Sequence, residues 1–138
     1  MIRNRYRNYL SMNALVILGV ICSFKFIPER QIAAVVASFL FLSSTGSILF
    51  FELRRGQWQK RFCFWAALLF LILSIVPIMY LRLSHWGENF QSLSLFGIAG
   101  EQMHKFSNWL FMTLMVSLFI DSQIEARRFA AEKMQKET

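Results

Sequence analysis

The chain has 138 residues, a net charge of +7 and a hydrophobic content of 56%. That length allows one domain, and the apolar residues fall in blocks rather than on one face of each helix, which excludes an ordinary water-soluble helical fold. The basic residues cluster at the ends of those blocks, where they meet lipid headgroups, and no soluble module is left over to bind nucleic acid.

The first block predicts a helix over about residues 10–26. Arg3, Arg5 and Arg7 before it give the start the look of a signal peptide. No small-x-small cleavage site follows, and later spans need a first helix to orient them, so the block is expected to stay as a membrane helix. Pro28-Glu29-Arg30 breaks the chain, and a second helix is expected over 31–53. Its small residues Ala33, Ala37, Ser44 and Ser47 fall on one stripe, which lets a neighbouring backbone approach closely. Arg54-Arg55-Gly56-Gln57-Trp58-Gln59-Lys60-Arg61 reads as a short basic loop. The third helix is expected over 62–83, kinked at Pro77, which lacks the N–H its turn requires. The interval 84–102 is polar at its edges and apolar over 93–99, and is expected to lie as a short interfacial segment on the outer face. A fourth helix is expected over 103–124, with Ser107, Thr113 and Ser117 turned to the bundle. Residues 125–138 continue it as a polar helical tail.

Each helix has roughly the 20 residues needed to cross the hydrocarbon core. The expected fold is therefore all-α: an integral membrane four-helix bundle forming one domain over 1–138. Eleven of the fifteen Lys and Arg residues lie before the first helix, in the 54–61 loop or in the tail. The positive-inside rule then places both termini in the cytoplasm, in a plasma (inner) membrane. Of the two cysteines, Cys22 and Cys63, one lies toward the outer end of its helix and the other at the inner start of its own. At ~1.5 Å per residue they stand about 20 Å apart in depth, too far for a disulfide, and both read as packing residues.

The outer face holds the candidate chemistry. His85 and Glu88, and Glu101 and His104, are spaced i, i+3, so on a helix each pair shares a face and offers two metal ligands. Arg82 and Lys105 flank them and suit an anionic lipid headgroup, as do Arg54, Arg55, Lys60 and Arg61 on the other side. Arg82-Leu83-Ser84-His85-Trp86 has the Arg-x-x-His-Trp spacing of some b-type cytochromes, but no helix interior holds a histidine, so haem has no axial ligands. Glu52, Asp121, Lys25 and Arg82 all fall near predicted helix ends, which leaves no buried ionisable residue for proton-coupled transport. No nucleophile triad, phosphate loop or zinc motif is present.

Leu18-Gly19 in the first helix, the run 27–41, His85-Trp86, His104, Trp109 and Phe111, and Phe119-Ile120-Asp121-Ser122-Gln123 come in an order that resembles the later four helices of the damage-regulated autophagy modulator family. That family also includes GPI-anchor lipid-remodelling proteins. The sequence departs from its pattern at Gln31 and Asn108, where a histidine and an acidic residue are common. The resemblance implies a non-catalytic membrane protein linked to lipids or to membrane regulation.

The expected function is an accessory or regulatory membrane protein, without cofactor, that binds lipids or another membrane protein or self-associates, rather than an enzyme. The alternatives are a membrane enzyme or metal protein using the outer His/Glu cluster, and a small transporter.

Overall fold

A computed structural model describes residues 4–137. Four helices are long and apolar enough to cross a membrane: α1 Arg5–Phe26, α2 Arg30–Arg55, α3 Phe62–Ser84 and α4 Gly100–Glu137. They form a helix bundle in which α1 packs on α2 and α4, and α3 packs on α2 and α4. The side-chain distribution is that of a bundle in lipid. Leu15, Leu18, Phe39, Phe50, Trp109 and Phe119 face outward, while Asn13, Ser44, Thr45, Ser74 and Ser117 are buried. Apolar side chains gain nothing from leaving an apolar solvent, so the interior is free to hold hydroxyls and amides that bond across helices.

Helix α1 begins earlier than the expected 10–26. The Asn4 side chain accepts a bond from the Tyr6 N–H at 3.1 Å, an N-cap that adds more than a turn. Helix α2 ends at Gly56, which adopts φ +72°, a left-handed C-cap that glycine reaches without strain. Ala33, Ala37 and Ser44 of its small-residue stripe are buried, whereas Ser47 donates to the Ser43 carbonyl on its own helix. At Gly19, α1 comes so close to α2 that an added Cβ would lie 3.0 Å from Leu40 Cδ1.

Helix α3 carries a π-helical turn over Leu71–Ile75, just before Pro77. Pro77 has no N–H to offer the preceding turn, and the hydrogen-bond ladder accommodates the loss there by a change of register. The deformation turns Ser74 into the bundle, where its hydroxyl bonds to Ser107 on α4. Thr113 departs from its expected place: it is exposed and donates to the Trp109 carbonyl.

The 93–99 segment is a hairpin rather than a single interfacial stretch. After a 3-10 turn over Phe90–Ser92, strands β1 (Ser94–Leu95) and β2 (Ile98–Ala99) pair antiparallel. Pairing satisfies backbone groups that a flat apolar segment would leave open. Phe96 and Gly97 make the tip with φ +51° and +79°, the signature of a two-residue hairpin turn, and Phe96 is left 95% exposed.

The bundle thus has two ends. At the basal end meet the start of α1, the end of α2, the start of α3 and residues 121–125 of α4. At the loop end meet the α1–α2 turn, the end of α3, the hairpin and the start of α4. Beyond the basal end α4 continues for about 12 residues, or ~18 Å.

Candidate functional site

The basal end is closed by a buried network of charges and phenols. Glu52, 1% exposed, is its centre. Its Oε1 accepts from Arg5 Nε at 3.1 Å and from the Tyr9 hydroxyl at 3.2 Å, and its Oε2 accepts from the Tyr6 hydroxyl at 3.4 Å. Arg5 also donates to the Tyr6 hydroxyl at 2.6 Å and lies 3.6 Å from Glu125 Oε1. Asp121 Oδ2 accepts from the Cys63 backbone N–H at 2.8 Å, so a carboxylate of α4 caps the first turn of α3. Asn4 donates to the Ser122 carbonyl at 3.0 Å, tying α1 to α4.

This network corrects the expectation that no ionisable group is buried. Glu52, Asp121 and Glu125 are all buried. They lie near the ends of their apolar runs, but folding brings those ends together and covers them. Arg61 is corrected too. Expected to meet lipid headgroups, it is 6% exposed and lies over the Tyr6 ring at 5.4 Å. It opens α3 at the centre of the junction, so its guanidinium is taken up by the interior. Arg54, Arg55 and Lys60 remain exposed at the basal rim.

The loop end is open. A cavity of about 600 Å³ is walled by Phe24 of α1, Arg30, Gln31 and Ala34 of α2, Arg82 of α3, loop residues from Gly87 to Gln91, and Glu101 and His104 of α4. A narrower apolar crevice of about 100 Å³ runs on from it between Val20, Ala37, Phe41, Phe70, Ser74 and Ile78. The two spaces share Phe24, Ala34, Arg82 and His104. The π-turn residues Ser74 and Ile75 line the crevice, so the place where α3 departs from α-helical geometry is also a wall of this space.

The expected outer residues are sorted by this geometry. Glu88, Glu101, His104 and Arg82 line the large cavity; His85 lies in a small adjoining recess with Arg82, Glu88 and Trp86. Glu101 is held by Lys105 at 2.8 Å, and His85 Nδ1 lies 3.0 Å from the Ser84 hydroxyl. Among the described residues, no three His, Cys, Asp or Glu side chains gather closely enough to hold a metal ion.

Arg82 stands out. Among the described residues it alone lines the cavity, the crevice and the recess. Its guanidinium stacks over Phe90 at 4.1 Å, and among the described residues no carboxylate pairs with it. The Gln31 side chain fixes the loop above it, donating to the Glu88 carbonyl at 3.1 Å and accepting from the Gly87 N–H at 3.0 Å. The network at the basal end and the role of Gln31 were both missed in the sequence. The first was legible in part: Leu114, Leu118, Asp121 and Glu125 recur at helical spacing, as do Ser44, Ile48 and Glu52, so the carboxylates sit on buried stripes.

No protein-family model, curated protein or solved structure matches this chain.

Proposed function

We propose that this chain is a non-catalytic integral membrane protein that holds a membrane lipid at its loop end, in an accessory or regulatory role. The observation that carries the reading is the junction at Arg82. A wide cavity with both polar and apolar walls and a narrow apolar crevice meet there, beside a guanidinium that has no carboxylate partner among the described residues. A phospholipid has the matching form, with a phosphate that a guanidinium binds in bidentate fashion and a chain that fits apolar walls. A lipid-linked, non-catalytic role is also what the resemblance to the autophagy-modulator family implies.

We place both chain ends on the cytoplasmic face of the plasma (inner) membrane, since eleven of the fifteen basic residues lie before the first apolar block, in the 54–61 loop or in the tail. The loop-end cavity then opens on the outer leaflet, with exposed Trp86, Phe96 and Ile98 at the depth where aromatic and apolar side chains anchor in the interface. Reporter fusions after Glu29 and Glu88 read outside in this arrangement, and fusions after Gly56 and Thr138 read inside. The reversed pattern refutes it.

The lipid reading is tested by native mass spectrometry of the purified full chain. Wild type retains phospholipid through detergent exchange. Ala34→Trp, which fills the neck between cavity and crevice, loses it. Equal retention by the two proteins refutes the site.

A further inference from the structure

Arg82 and Glu88 line the same two spaces, the large cavity and the recess, yet among the described residues they make no ion pair. Opposite charges facing one cavity ordinarily close on each other when both are free to move. The Arg82 guanidinium is stacked on Phe90, and the Gln31 amide holds the backbone from which Glu88 projects. Among the described residues the cavity therefore carries two cations, Arg82 and Arg30, and one carboxylate, Glu88, that make no ion pair.

That arrangement has a chemical complement. A ligand of single negative charge satisfies Arg82 and leaves Glu88 facing its phosphate. A ligand carrying both charges satisfies both walls. Glu101, the other acid on the cavity among the described residues, pairs with Lys105 at 2.8 Å, so Glu88 is the acid without a cation partner. Trp86, in the adjoining recess with Glu88, adds an aromatic face of the kind that attracts an ammonium group. Arg30 and His104 also line the cavity.

We infer that the lipid held at the loop end is a zwitterionic phospholipid, its phosphate on Arg82 and its ammonium on Glu88, with an acyl chain entering the crevice beside Phe24 and Ile78. This rests on the lipid-binding reading and narrows it to a headgroup class. It also departs from the anionic headgroup that Arg82 and Lys105 suggest from the sequence, because Lys105 is spent on Glu101 and a carboxylate shares the site.

The experiment is a competition. The full chain, stripped of endogenous lipid in detergent, is offered phosphatidylethanolamine, phosphatidylcholine and phosphatidylglycerol with identical chains in equal amounts, and retained lipid is read by native mass spectrometry. Retention of at least one of the two ammonium-bearing lipids exceeds that of phosphatidylglycerol by about fivefold, the ratio that one partly exposed ion pair supplies. Glu88→Gln removes the preference while leaving phosphatidylglycerol retention unchanged or raised. Glu88 is exposed in a loop, so this variant folds. Arg82→Gln lowers retention of all three, and Arg82→Lys restores part of it. Phosphatidylglycerol retained as well as or better than the other two, or a preference that survives Glu88→Gln, overturns the inference while leaving lipid binding intact. Failure of the wild type to retain any of the three, or equal retention by Ala34→Trp, removes the lipid-binding reading itself.

Discussion

The two ends of this bundle solve opposite problems with the same residue types. At the basal end, arginine, glutamate and tyrosine are drawn together, and Arg5 pairs with both Glu52 and Glu125. Glu52 is reached by one guanidinium and two phenols from α1, and Asp121 closes the start of α3. At the loop end, an arginine and a glutamate share a cavity without pairing: the arginine stacks on Phe90, and Gln31 holds the backbone that carries the glutamate. Paired charges in a low-dielectric interior hold helices together. Separated ones hold interaction free energy in reserve for a ligand. One end reads as a clamp and the other as a receptor.

The contrast breaks first at Glu52. Glu52→Ala leaves Arg5 and the hydroxyls of Tyr6 and Tyr9 without their shared acceptor. Breaking a buried pair in this way costs about 3–5 kcal/mol. Unfolding of the purified protein in mixed micelles should show that loss, with Glu52→Gln less damaging because one acceptor oxygen remains. A loss below about 1 kcal/mol would mean that the network is incidental to stability.

Asp121 comes next. Its carboxylate accepts from the Cys63 N–H at 2.8 Å, a charge-assisted bond at a helix N-terminus. Asp121→Ala should cost about 1.5–3 kcal/mol, and Asp121→Asn markedly less, since an amide oxygen can still cap the turn. Equal effects from the two substitutions would show that packing, and not the cap, is what Asp121 supplies.

The basal end also shows where sequence reading reached its limit. The four spans were legible because block hydrophobicity is a property of consecutive residues. Glu52, Asp121 and Glu125 were misplaced because burial at a helix end depends on what stands opposite. Here that is the first turns of α1, which begins at Arg5 while its apolar run begins only near residue 10. Arg5, Tyr6 and Tyr9 precede that run and form half of the clamp. At the loop end the sequence offered the residues of the cavity but not their grouping. Gln31 lies 57 positions from Glu88, and the i, i+3 spacing of His85 and Glu88 carried no metal geometry because a helix is not what holds them: α3 ends at Ser84.

On the receptor side the largest structural effect falls at Gly100. A Cβ there would collide with the Phe90 carbonyl, and Phe90 is also the platform for Arg82. Gly100→Ala should cost about 1–3 kcal/mol, the range for overpacking. Its distinguishing mark is place: hydrogen exchange should rise across 85–99 while the basal segments stay protected. Uniform loosening of both ends would argue that they do not behave as separate units.

The smallest effect is expected at His85, and its smallness is informative. The ring shares a recess with Arg82 and Glu88, but among the described residues its hydrogen-bond partner is the adjacent Ser84 hydroxyl, and it does not line the large cavity where a headgroup would sit. His85→Ala should change stability by less than about 0.5 kcal/mol, as for a surface position, and leave lipid retention near that of wild type. His104 is the internal comparison. It borders both the cavity and the crevice, so His104→Ala should lower retention at similarly little cost in stability. If instead His85→Ala abolishes retention and His104→Ala does not, the ligand sits in the recess under Trp86, and the receptor end must be redrawn around that smaller space.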